Sequence, residues 1–154
     1  MAATKEMFSV NGLTPGAMTL DAAIQKLSRW HPQISLDSGP LSVWFIDGTR
    51  SAISVENVKL DTLWLISWEN QLAAVEGDFS RRSVVAMRHV LSRRLGAGRS
   101  SWDDDISSGL VEVDDAGRCY FQIAHKALLE RYNQGLSRRL TEERSRYAMT
   151  MRHA

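Results

Sequence analysis

The residues in this sequence most suited to bind a charged partner are arginines clustered between positions 81 and 99. This stretch holds six arginines and no acidic residue, and the whole chain holds fifteen arginines but only four lysines. The planar guanidinium group presents a fork of N–H donors that matches phosphate or carboxylate oxygens and also stacks on flat rings. The sequence therefore predicts an anion-binding surface built from Arg81, Arg82, Arg88, Arg93, Arg94 and Arg99.

The sequence contains no complete catalytic motif. The segment 45–49 reads Phe-Ile-Asp-Gly-Thr and resembles the Asp-x-Asp-Gly-Thr motif of phosphatases, but Phe45 stands where that motif needs its nucleophilic aspartate. The segment 96–101 has only two of the three glycines of a dinucleotide fingerprint, and it follows a predicted helix instead of a strand. We therefore expect a protein without enzymatic activity and without a cofactor.

A metal site is also not expected. The acidic loop 103–105 and Asp114 could hold magnesium, but the strand segment 112–114 lacks the lysine that common nucleases place two residues after an acid. Cys119 and His125 supply too few ligands for zinc, and the apolar neighbours of Cys119 predict a buried, inert thiol. If the protein were an enzyme, its only plausible metal ligands would be Asp103, Asp105 and Asp114.

Length and composition indicate one small globular domain. The chain has 154 residues, of which 44% are hydrophobic and 24% charged, so it can bury a core and is not disordered as a whole. One cysteine excludes a disulfide scaffold, and no apolar run reaches the roughly 20 residues that span a bilayer. Because no secretory signal is recognisable, we expect a cytoplasmic protein. Residues 1–13 are expected to form a loosely ordered N-terminal segment.

Hydrophobic spacing predicts helices and strands in alternation over the first half. Thr19 is a helix N-cap for a helix through Trp30. Residues 41–46 fit a strand that turns at Asp47-Gly48 and returns over residues 51–55. The segment 61–76 fits both periods: we predict a helix over 68–76 that ends at Gly77, and residues 61–68 remain open between helix and strand.

The second half predicts two helices around a hairpin. Ser80 caps a helix that ends at Leu95, with its arginines opposite the apolar side. Residues 110–113 and 119–123 fit two strands, and a long helix follows over residues 125–147. The fold class is α+β, a single domain of short antiparallel strands with helices. The last helix carries an apolar stripe of Leu128, Tyr132, Leu136 and Leu140. This stripe could form the interface of a homodimer or pack within the protein's own core.

The segment from 107 to 118 resembles the wing of winged-helix DNA-binding proteins. It carries Gly-Leu-Val at 109–111 and Asp-x-x-Gly-Arg at 114–118, which would place Arg118 at the wing tip. With the helix before it and the strand after it, the resemblance covers residues 80–128, about a third of the chain. It departs from the family between residues 96 and 109, where a full recognition helix has little room, and it implies contact with the DNA backbone more than recognition of a groove.

These features predict a regulatory or inhibitory binding protein. Trp102, set among serines and aspartates, is expected to be exposed, where it could stack on a base or anchor an interface. Trp44 and Trp64 are expected to be buried. Nucleic acid is the favoured partner of the arginines and of Arg118. The alternatives are a protein–protein interaction module that docks on an acidic surface, or a solvated helix face neutralised by the acidic loop.

Overall fold

A computed structural model describes residues 11–95 and 101–152 of the chain. The first half contains α1 (Leu20–Lys26), a 3₁₀ turn (Ser28–Trp30) and five strands: β1 (Gln33–Ser38), β2 (Leu41–Asp47), β3 (Ile53–Val55), β4 (Val58–Trp68) and β5 (Gln71–Phe79). The second half contains a 3₁₀ turn (Arg81–Ser83), α2 (Val84–Leu95), β6 (Ser101–Asp103), β7 (Ser107–Val113), β8 (Cys119–His125) and α3 (Lys126–Arg152).

All eight strands in the described part of the chain belong to one antiparallel sheet. The strand order across the sheet is β1-β2-β4-β5-β8-β7-β6. The short β3 lies off this path and pairs with the first residues of β4. The predicted α+β class is therefore confirmed. β5 and β8, which are far apart in sequence, pair at the centre of the sheet and join the two halves of the chain.

The longest hairpin of the sheet joins β4 to β5, and this corrects the helix predicted over 68–76. Glu69 and Asn70 both adopt left-handed backbone angles and form a two-residue turn without glycine. Gly77 consequently lies inside β5 instead of ending a helix. The residues left open, 61–68, are strand.

The predicted hairpin after Asp47 is also wrong. β2 pairs with β1 and β4, whereas the returning strand β3 pairs with β4 and not with β2. Asp47 accepts hydrogen bonds from the backbone N–H and the hydroxyl of Thr49, so it stabilises a local turn. The Asp-Gly pair marks a turn, as expected, but that turn does not join two paired strands.

Helices cover both faces of the sheet. On one face, α1 and α2 pack over a core that includes Leu27, Met87, Leu91 and Phe121. On the other face, α3 packs over a second cluster around Tyr132. A Cβ atom on Gly135 of α3 would lie 2.6 Å from the ring of Trp68, so glycine lets the helix approach the sheet closely.

Several other predictions are confirmed. The side chains of Thr19 and Ser80 accept backbone N–H bonds at the starts of their helices, β7 and β8 pair as a hairpin, and Cys119 is buried. The stripe on α3 is partly used within the chain, since Tyr132 packs on the sheet while Leu140 is 45% exposed.

The expected loose N-terminal segment falls mostly outside the described residues, because the description begins at residue 11. Leu13, which does fall within it, is fully buried in the core. No helix among the described residues is long and apolar enough to cross a membrane.

Gly77 provides a test of the β5–β8 pairing. A Cβ at this position would lie 2.3 Å from Cε1 of Phe121, which is fully buried on the neighbouring strand. We expect Gly77→Ala to lower the free energy of unfolding by about 1–3 kcal/mol, as overpacking does. Chemical denaturation measures this loss.

The double variant Gly77→Ala/Phe121→Leu is the matched control. Because leucine leaves room for the new methyl group, we expect its loss to be smaller than the two single losses added together. Additive losses would contradict the contact between these residues.

Candidate interaction surfaces

The first candidate surface is the outward side of α2 and of the 3₁₀ turn before it. The hydroxyl of Ser80 accepts a hydrogen bond from the backbone N–H of Arg82, which fixes the start of this segment. Met87, Val90 and Leu91 point inward and are buried. We call the opposite, exposed side the arginine face; it consists of Arg81, Arg82, Val85, Arg88 and His89.

The arginine face holds cations without local partners. Among the side chains that the structure describes, Arg81, Arg82 and Arg88 form no ion pair. Val85, in the middle of this face, is 77% exposed. The side chains of Arg93 and Arg94, and the whole of Arg99, lie outside the described residues. The structure thus brings together three of the six predicted arginines, with an apolar residue between them.

Among the described residues, no ion pair joins the acidic loop to Arg81, Arg82 or Arg88. Asp103 pairs with Lys126 at the start of α3. Asp104 accepts hydrogen bonds from the backbone N–H groups of Ile106 and Ser107, and so stabilises the turn between β6 and β7. Asp103 and Asp104 thus have partners at the start of α3 and within the loop.

Trp102 is not the exposed anchor that the sequence suggested. It lies on β6, is half-buried and packs against the core. Its ring lies against Gly109 of β7, where a Cβ would be 3.0 Å from Cε3. Its buried indole Nε1 has no hydrogen-bond partner in the described part of the chain. An indole held against the core in this way is not free to stack on a base.

Arg118 does not lie at a free wing tip. The turn before it is fixed by Asp114, which accepts hydrogen bonds from the backbone N–H groups of Ala116 and Arg118. The Arg118 guanidinium reaches back to β5, where its Nε donates to Asp78 at 2.6 Å and an Nη donates to Glu76 at 3.0 Å. The β7–β8 hairpin is thus an integral part of the sheet, which differs from a projecting wing.

The second candidate surface is the part of the sheet face that α3 leaves uncovered. Cross-strand register places two adjacent rows of side chains there. We call them together the sheet platform: one row is Phe45, Trp64, Glu76, Gln122 and Leu110, and the other is Asp47, Thr62, Asp78, Tyr120 and Glu112. None of these side chains is fully buried. The expectation that Trp64 is buried is therefore corrected. Trp44, which lies on the other face of the sheet, is also half-buried instead of buried.

Carboxylates and aromatic rings dominate the sheet platform. The rings of Phe45 and Trp64 lie 5.2 Å apart between centroids. The Trp64 indole Nε1 donates to Asp78 at 3.2 Å, and Arg118 lies over the ring of Tyr120 at 4.8 Å. Four acids belong to the platform: Arg118 pairs with Glu76 and Asp78, and Arg50 pairs with Asp47, so their negative charge is compensated only in part.

The surroundings of Glu76 and Tyr120 on the sheet platform shift their pKa values. Burial raises the pKa of Glu76, and the nearby Arg118 opposes this rise by favouring the ionised carboxylate. The hydrogen bond that Tyr120 donates to Glu112, at 2.5 Å, raises the pKa of Tyr120 to about 12, with burial as the second cause. The Tyr120 hydroxyl therefore stays protonated, and able to donate, to a higher pH than an ordinary tyrosine does.

No sequence pattern predicts the sheet platform, since its residues come from five strands. No group of three or more His, Cys, Asp or Glu side chains within the described residues is arranged to hold a metal ion. Comparison of the chain with protein-family models, with curated proteins and with solved structures finds no match. Functional inference therefore depends on the two surfaces.

Titration of Tyr120 tests the geometry of the sheet platform. We expect Glu112→Ala to lower the pKa of Tyr120 from about 12 toward 10, because it removes both the hydrogen-bond acceptor and the neighbouring negative charge. Absorbance of tyrosinate as a function of pH follows this change. Tyr120→Phe identifies which titration step belongs to Tyr120, and an unchanged step in Glu112→Ala would exclude the hydrogen bond.

Proposed function

We propose that this protein is a small non-enzymatic binding protein whose arginine face docks on an acidic surface of a partner protein. The observation that carries the proposal is Val85, which is 77% exposed among arginines without local ion pairs. A regulator or inhibitor acts in this way when it covers a surface that its partner needs. The free, buried thiol of Cys119 agrees with a reducing compartment, and we infer a cytoplasmic location.

The composition of the arginine face suits a protein partner. Arginine is enriched in protein interfaces because its long side chain offers apolar contact as well as charge. Val85 adds an apolar group at the centre, where burial by a partner is worth more than at the rim. An acidic partner surface would pair with Arg81 and Arg88 while an apolar side chain covers Val85.

Nucleic acid is the second candidate, since the same arginines could contact phosphates. The sequence favoured this partner, but two features now favour protein. On nucleic acid, Val85 would face phosphates without an apolar contact, and Trp102 packs against the core, away from a base.

Fluorescence anisotropy with two labelled probes separates these candidates. One probe is a peptide of alternating glutamate and leucine, and the other is a DNA duplex. We expect the peptide to bind, and Arg81→Glu/Arg88→Glu to abolish its binding through like-charge repulsion. We expect Val85→Ser to weaken peptide binding roughly tenfold, since burial of a valine side chain is worth about 1.5–3 kcal/mol.

The control is Arg131→Glu/Arg138→Glu, which makes the same charge change on the exposed side of α3 and should leave peptide binding intact. Binding of the duplex that falls steeply with salt and ignores Val85→Ser would indicate nucleic acid instead. If neither probe binds wild-type protein at low salt, the arginine face is not an anion-binding surface.

A further inference from the structure

The sheet platform has the features of a second binding surface, with the opposite charge. It lies on the face covered by α3, beside the cluster around Tyr132. Trp64 packs against the edge of that cluster, and the platform side chains are half-buried except Glu112, which is exposed. Its carboxylates are close to the sheet: the side chains of Glu76 and Asp78 are only 17% and 20% exposed. Partly desolvated carboxylates bind cations more strongly than fully hydrated ones.

Arg118 shows which chemical group this surface accommodates. Its guanidinium is held by Glu76 and Asp78 while it lies over the ring of Tyr120. This combination of carboxylates and an aromatic face is the usual environment of a bound guanidinium or ammonium group. One arginine cannot balance both carboxylates, so an excess negative charge remains beside the ring pair of Phe45 and Trp64.

We propose that the sheet platform binds arginine or lysine side chains from a basic segment of a partner protein. An incoming cation would lie between the carboxylate of Glu76 and the ring of Trp64, next to Arg118. The exposed Glu112 at the other end of the platform would attract further basic residues of the same segment. This proposal does not depend on the arginine face.

A second copy of this chain is a poor occupant of the platform. Its arginine face carries suitable charge, but α2 and the platform lie on opposite faces of the sheet. Such a contact cannot be reciprocal within a pair, so it would continue head to tail into an open chain of molecules. A basic segment of a different protein satisfies the charge without this consequence.

The test uses a fluorescein-labelled peptide of alternating arginine and serine, with citrulline replacing arginine in the control peptide. Citrulline keeps the shape of arginine but carries no charge. We expect the arginine peptide to bind and the citrulline peptide not to bind. Glu76→Gln should weaken binding roughly tenfold, because hydrogen bonds to charged groups are worth about 1.5–3 kcal/mol.

Two further variants are included, one expected to strengthen binding and one that serves as a control. Arg118→Gln frees both carboxylates, so we expect it to bind the arginine peptide more tightly than wild-type protein does. Asp37→Asn removes one negative charge from exposed β1, away from the platform, and should leave the affinity unchanged. Thermal unfolding of each variant confirms that the protein compared is folded.

Nuclear magnetic resonance locates the bound peptide. The Trp64 indole N–H donates to Asp78, so its resonance, assigned with Trp64→Phe, should shift on titration. The proposal is overturned if the citrulline peptide binds equally well, if Glu76→Gln has no effect, or if the Trp64 resonance does not move. Concentration-dependent self-association that Glu76→Gln abolishes would also overturn it, in favour of a second copy as occupant.

Discussion

The constraint on which the rest of this structure depends is that β4 and β5 bury apolar side chains on both of their faces. Leu63 and Leu65 belong to one core cluster, whereas Ile66 and Ala74 belong to the other. A sheet buried on both sides needs helices on both sides. α1 and α2 supply one layer, and α3 supplies the other over one part of the face only. The position of α3 therefore decides which part of the sheet faces solvent.

The uncovered part of the sheet is polar because successive residues of a strand point to opposite faces of the sheet. Polar residues can thus face the platform while their neighbours face the core on the other side. Glu76 and Asp78 point to the platform, while Gly77 between them faces the opposite core, where Phe121 fills the space that a side chain would take. Carboxylates that close to a sheet need cationic or hydrogen-bonding partners. Arg118 and the indole of Trp64 meet this need in part. The alternation of side chains along β5 therefore determines both the packing of the core and the charge of the platform.

Local sequence signals were sufficient to predict elements that begin at a capping residue and have one apolar face. The caps at Thr19 and Ser80 and the amphipathic α2 are of this kind. The β4–β5 hairpin was missed because β5 is buried over the consecutive residues 72–75 and so does not alternate, and because its turn contains Glu69 and Asn70 without glycine. The sheet platform was beyond prediction, since Glu76 and Arg118 lie 42 residues apart and meet only through strand register.

The net charge of +1 conceals two surfaces of opposite sign on opposite faces of one sheet. An α-helix with its side chains is about 10–12 Å thick, and the sheet adds a second layer between the arginine face and the platform. The Debye length at physiological ionic strength is about 8 Å. Charges on one surface are therefore largely screened from a partner at the other. An acidic and a basic partner could thus be bound by the same molecule, each through its own side, without cancelling the attraction that brings the other.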